Sequence, residues 1–192
     1  EMAGLEEGRS NYVSALAYCD TAIARWPESK GGVVCAEKRS RMLKKGIVVH
    51  VNDVAPGQDI LALLEVRNVD TLFFAVVKRP EGMGIKSNDK VLSLLKKCEV
   101  LKSWSTPVDC ENENQRLSLT SHYAYIPGLE PGQYVLIVSP KADIETEGCA
   151  IETFSVLRYA VIGCGPSAAF SGYLVDNATG RPVANQSVSL LD

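Results

Sequence analysis

Apolar residues recur at two periods along this chain, and the change between them marks its first boundary. Tyr12, Leu16, Cys19, Ile23 and Trp26 are spaced by four and three, which puts them on one face of a helix. Pro27 ends it, because proline lacks a backbone N–H and clashes with the preceding turn. "ESKGG" makes a turn, and Val34 to Lys45 is expected to form a second helix with a basic end. Residues 1–45 therefore read as a helical hairpin. At Gly46 the period shortens toward two. "IVVHV" opens a series of strands that continues through "DILALLEVRNV", "TLFFAVVKR", "VLKSWSTPV", "RLSLTSHYAYI", "GQYVLIVSP" and "CAIETFSVLRYAV". Turn sequences such as "APGQD", "RNVDT", "GLEPGQ" and "SPKAD" separate several of them. About six or seven short strands within 46–162 is the number that builds an antiparallel β-sandwich. One insertion departs from the pattern. In "SNDKVLSLLKKC", Val91, Leu94, Leu95 and Cys98 have helical spacing, so a short helix is expected near 87–99, with Ser87 as its N-cap. A second boundary falls at "GCGPS". Residues 163–192 read as a linker followed by strand, turn, strand in "AAFSGYLVDNATGRPVANQSVSLLD". That is far short of the roughly 100 residues of a sandwich, so it is expected to be the opening of a further one.

Composition adds bounds. The 192 residues suit one or two domains, and 46% of them are apolar, enough for a sizeable core. A net charge of -3 gives no electrostatic case for nucleic acid. No apolar run approaches the roughly 18 residues of a membrane helix. The chain starts without an initiator Met or a signal-like segment, so either an export signal was removed or this is a piece of a longer chain. Six cysteines stand at 19, 35, 98, 110, 149 and 164, without a CxxC pair, and the histidines are His50 and His122. Zinc sites show close ligand pairs, so neither a metal nor any other cofactor is expected. Widely spaced cysteines in even number fit an oxidising compartment. Buried free thiols, which act as small hydrophobes, are the other reading.

Three signatures coincide in order and spacing. The first is "CDTAIARWPESKGGVVC" followed by "LEVRNVDTLFFAVVKR". The second is "IPGLEPGQYVLIVS" with a later strand ending "FSV". The third is "YLVDNATGRPVANQSVSL". Together, over residues 11–192, they resemble the N-terminal half of the bacterial alpha-2-macroglobulin family. Within them "ALAYCDTAIARWPES" resembles the end of a tetratricopeptide-type repeat, which buries its face on neighbours. The resemblance implies a seven-stranded fibronectin-like macroglobulin domain at 46–162 and the first strands of another at 163–192. It also implies an exported protein of a Gram-negative bacterium, in the periplasm or at the outer-membrane surface. Members of that family are protease traps. A protease cuts a bait segment, the modules collapse around it, and some members also hold it through a thioester. The macroglobulin modules are the scaffold of that machine. The partners implied are the neighbouring macroglobulin domains of the same full-length chain and, through the whole protein, target proteases. Cys19 and Cys35, sixteen residues apart across the helical hairpin, match cysteines of the family's hairpin and are expected to form a disulfide. No partner is assigned to Cys98, Cys110, Cys149 or Cys164.

The remaining motifs are weak. "GCAIE" places Glu152 three residues after Cys149, the spacing of a thioester loop. That bond needs a glutamine acyl group, and Glu152 is a free carboxylate, so a strand is expected instead. "GMGIKS" lacks the spacing of a phosphate loop. His122 sits in the alternating "SHYAYI" and reads as a packed or half-exposed strand histidine rather than a general base. "NAT" at Asn177 and "NQS" at Asn185 match the glycosylation pattern, with Asn177 better read as a turn residue. No catalytic assembly is expected and the chain is not read as an enzyme. The alternative function is a cell-envelope adhesion or carbohydrate-binding sandwich, which an exposed aromatic row on one sheet face would favour. Strand-mediated self-association is expected of the C-terminal strands, whose edges are open.

Overall fold

The computed structural model of the chain describes residues 1–79, 98–142, 148–164 and 171–186. The helix expected near 87–99 falls outside these ranges except at Cys98 and Glu99, which are not helical. Three helices come first: α1 (Met2–Gly8), α2 (Tyr12–Arg25) and α3 (Lys30–Leu43). Ala3, Ala15, Cys19 and Met42 bury one another, with Tyr12, Leu16 and Cys35 packed alongside. The stripe read from sequence thus holds as far as Cys19, while Trp26 lies beyond the helix and is 59% exposed. The helix after the turn starts at Lys30 rather than Val34, because Ser29 caps it. The Ser29 hydroxyl accepts a hydrogen bond from the Gly32 N–H at 3.0 Å.

Two antiparallel sheets follow. The three-stranded sheet runs in the order β1 (Gly46–Val51), β2 (Ile60–Arg67), β5 (Thr120–Ile126). The four-stranded sheet runs β4 (Val100–Pro107), β3 (Thr71–Lys78), β6 (Gly132–Ser139), β7 (Ala150–Val156). Alternation decides which residues meet between them. Ile60, Ala62, Leu64 and Val66 of β2 and Ala124 and Ile126 of β5 face Leu72, Phe74 and Val76 of β3 and Tyr134, Leu136 and Val138 of β6. This is the expected antiparallel β-sandwich. Strands β3 and β6 are also buried on their far face, where Ala75, Val77, Val135 and Ile137 form a second cluster. That explains why both read as unbroken apolar runs.

A short helix, α4 (Glu113–Leu117), joins β4 to β5. It fastens the helical hairpin to the sandwich. The Val13 N–H, a free donor at the start of α2, reaches the Asn114 side-chain oxygen at 2.9 Å. On the β2–β3 turn, Asn68 takes a left-handed φ of 55°, which Asn tolerates better than most residues. It is 6% exposed and its side-chain amide donates to the Met42 carbonyl at the end of α3, at 2.6 Å. Its backbone N–H donates to the Arg116 carbonyl at 3.0 Å.

The far end differs from the sequence reading. A single strand was expected through Val161, with a linker at 163–166. Instead β7 ends at Val156, and β8 (Tyr159–Cys164) pairs with β9 (Ser171–Asp176) in a separate two-stranded sheet. The break is made by partners distant in sequence. The Leu157 N–H donates to the Val54 carbonyl at 2.9 Å, and the Arg158 carbonyl accepts from the Asn177 N–H at 2.8 Å. Cys164 therefore lies at the end of a strand, not in a linker. The turn expected at 177–182 is present, with Val175 bridged to Pro182 and Gly180 at φ 68°. Most of the strand expected after it, "QSVSLLD", lies outside the described residues.

Candidate functional site

The residues singled out by their chemistry do not converge. Cys149 lies just before β7 and Glu152 within it, where Glu152 is registered against Leu136. His50 and His122 sit on the two edge strands of the three-stranded sheet and point to opposite faces of it, because His50 is level with Leu63 and His122 with Leu64. The Nε2 of His122 lies 2.9 Å from the Thr120 hydroxyl. Among the described residues no group of three or more His, Cys, Asp or Glu could hold a metal. No described helix is long and apolar enough to cross a membrane. "GMGIKS" lies outside the described residues.

Cys19 and Cys35 do meet. Both belong to the core of the helical hairpin, and the Cys35 side chain lies within hydrogen-bonding reach of Cys19. Both are thiols in this structure. Burial, then the Cys35 contact, pushes the Cys19 thiol up to about 11, so it stays protonated at neutral pH.

Two surface features remain. The first is the junction between the sandwich and the β8–β9 sheet. A link of two residues, Leu157 and Arg158, separates β7 from β8. Val54 pairs in parallel with Val156, its N–H donating to the Ser155 carbonyl at 3.0 Å. The Asp53 carboxylate accepts from the Ser155 N–H at 2.6 Å. On the other side the Asn177 side-chain amide donates to the Leu157 carbonyl at 3.0 Å, next to its backbone bond to Arg158. Asp176 accepts from both the N–H and the hydroxyl of Thr179, each at 2.9 Å. Those bonds hold its carboxyl below the usual carboxylate range.

The second feature is the outer face of the β1–β2–β5 sheet. His50, Leu63 and Tyr123 form one row across it, and Leu61 and Tyr125 form the next. Leu61 is 46% exposed, Tyr123 62% and Tyr125 72%. With Val48 this makes a group of apolar and aromatic side chains exposed on that face among the described residues. The sequence carried the signal. Once Ala124 and Ile126 are taken as the core face of "SHYAYI", both tyrosines must point outward.

No protein-family model matches the sequence, and no curated protein matches it. Solved structures give likenesses of fold. A fragment of Escherichia coli alpha-2-macroglobulin spanning domains MG0-NIE-MG1 aligns with a TM-score of 0.45 and 10% identity, over 73% of this chain and 48% of that one. This chain thus covers about half the length of that fragment. The shorter NIE-MG1 fragment of the same protein aligns with a TM-score of 0.44 and 10% identity, over 73% of this chain and 74% of that one. The sensor domain of the anti-sigma factor RsgI4 from Pseudobacteroides cellulosolvens aligns with a TM-score of 0.35 and 12% identity, over 66% of this chain and all of that one.

Proposed function

We propose that this chain is a non-catalytic scaffold segment of an exported bacterial protease trap of the alpha-2-macroglobulin kind. It would work in the periplasm or at the cell surface, beside further macroglobulin domains of the same protein. The observation that carries the reading is the clamped junction. A trap that closes when one segment is cut needs modules that transmit movement, and a flexible tether would dissipate it. The two-residue link held by Val54 and Asn177 is built to fix one β unit on the next. The order of the sequence signatures supports the same reading. The scaffold itself should neither inhibit nor capture a protease. Incubation with a general serine protease, followed by a denaturing gel and an activity assay, is expected to give undiminished protease activity and no adduct. A stable high-mass adduct that disappears in Cys149→Ser would overturn the non-catalytic role.

In the same reading, Cys19 and Cys35 form a disulfide in the exported protein. Two thiols would lose two protons and two electrons to an external disulfide oxidant, and one S–S bond would form across α2 and α3. A closed loop of about fifteen residues stabilises a fold by roughly 3 kcal/mol in the chain-entropy model. Peptide mapping without reductant should recover the two residues in one linked peptide pair. Both thiols freely alkylated in exported material would refute the pairing.

The exposed Tyr123 and Tyr125 favour one second reading, a carbohydrate-binding face, since flat rings with hydroxyl tips suit the apolar side of a sugar. Titration with soluble glycans, with Tyr125→Ala as the comparison, separates the two. Binding lost in Tyr125→Ala would favour the second reading.

A further inference from the structure

We infer that the outer face of the four-stranded sheet holds a binding site for a small neutral aromatic molecule with a hydrogen-bonding oxygen at its edge. A hollow of about 430 Å³ lies there, within the size range of small-ligand pockets. The strand registers place its floor in two rows. In the first, Phe73 of β3 stands between Ser105 of β4 and Ser139 of β6. In the second, Ala75 stands between Ser103 and Ile137. Alternation along β3 turns Phe73 and Ala75 away from Leu72, Phe74 and Val76, which face the core of the sandwich. Ala75 and Ser103 are small beside the Phe73 ring, and that difference in size leaves the hollow. Ala75, Ile137 and Ser139 are buried, whereas Ser103 and Ser105 lie on the exposed edge strand. The hollow is thus deep at β6 and open at β4.

The lining selects the occupant. None of the described residues around the hollow is charged, so an ion entering it would lose hydration and meet no opposite charge. Apolar side chains predominate, and a planar ring packs well against the ring of Phe73. The polar groups are hydroxyls on either side of that ring. The Ser139 oxygen accepts from the Lys141 N–H at 3.2 Å, which fixes its position. The Ser105 hydroxyl, on the exposed strand, can donate to or accept from an oxygen at the edge of a bound ring. This site is separate from the face that carries Tyr123 and Tyr125, which belongs to the other sheet.

Calorimetric titration of the intact chain with 2-naphthol, a neutral two-ring phenol, tests this. Saturable binding at one site is expected. Ser103→Trp fills the hollow from an exposed position, so it should raise the Kd by about tenfold or more and leave the melting temperature unchanged. Ser105→Ala adds no bulk and removes one hydroxyl. It should weaken 2-naphthol by about threefold to tenfold, the range of one hydrogen bond, and leave naphthalene binding unchanged. Tyr125→Ala should have no effect on either ligand. Absence of saturable binding, binding that neither Ser103→Trp nor Ser105→Ala weakens, or binding lost in Tyr125→Ala would overturn the assignment. Binding of the anion 2-naphthoate as tight as that of 2-naphthol would overturn the neutral class of ligand.

Discussion

At the scale of single residues, Gly32 has the closest backbone approach in the helical hairpin. A Cβ built there would sit 2.0 Å from the Trp26 carbonyl oxygen and 2.9 Å from that of Pro27. Both neighbours are backbone, so a side chain fits only if the turn between α2 and α3 opens. Gly32→Ala is expected to cost about 1–3 kcal/mol in denaturant unfolding. A variant as stable as the parent would mean that the turn yields freely. Cys19 gives a second test, by pH. Its pKa in the folded chain is raised from 9.0 to about 11, so folding favours the protonated thiol. The stability this contributes is complete below the unfolded pKa near 9 and is lost as pH rises toward about 11. Melts of the reduced protein across that window should fall more steeply than those of Cys19→Ala. Equal slopes would show that the thiol is not buried in solution. That Cys19 and Cys35, both thiols here, lie beside each other across the helical hairpin was legible in the sequence, because its turn is marked by Pro27 and "SKGG". The steric role of Gly32 was not, since the clash is with carbonyls whose direction only the folded turn sets.

At the scale of elements, α1 is seven residues long and too short to be stable alone. Ala3 and one carboxylate hold it in place. Glu7 meets Lys38 at 2.6 Å and also pairs with Arg41, both on α3. The Lys38 hydrogen bond is the largest cause of a lowered Glu7 pKa. The sign follows: the contribution is present above the unfolded carboxylate pKa and disappears as pH falls through the lower folded value. Helical content should therefore drop in acid more in the parent than in Glu7→Gln. The variant itself should lose up to about 1 kcal/mol at neutral pH. Circular dichroism against pH reads both, and identical acid profiles would contradict the role given to Glu7. These contacts explain which elements the sequence showed. Strands β2, β3 and β6 announce themselves by alternation or by unbroken apolar runs, and α2 by its stripe. Helices α1 and α4 have too few residues for a period to emerge. α4 depends on its Asn112 cap, and Asn114 is engaged by Val13 from across the molecule. The aromatic face was half legible. Alternation in "SHYAYI" sets the outward direction of Tyr123 and Tyr125, but their exposure depends on no described residue packing over that sheet.

At the scale of the whole molecule, the helical hairpin sits at the end of the sandwich where Asn68 and Asn114 lie, and β8–β9 joins the opposite end. A groove of about 270 Å³ marks that second joint, lined by Pro56, Glu130, Pro131, Arg158, Asp176 and Ala178. Where the last strand of the sandwich stops could not be read locally. "FSVLRYAV" is an uninterrupted strand pattern, and the break after Val156 is imposed by the Val54 carbonyl and by Asn177. The scaffold reading stands on this joint being rigid, and hydrogen exchange at its amides measures that most directly. The Leu157 N–H donates to Val54 on the sandwich side of the link and the Asn177 N–H to Arg158 on the β8–β9 side, while the Asn177 side-chain amide donates to the Leu157 carbonyl between them. In a fixed joint they open only when a larger unit unfolds. Both amides are predicted to exchange as slowly as those of β8 and β9, and Asn177→Ala, which removes the side-chain bond to Leu157, should speed both. Exchange at the rate of an unstructured linker, unaffected by Asn177→Ala, would show the two β units to be flexibly tethered and would contradict the account.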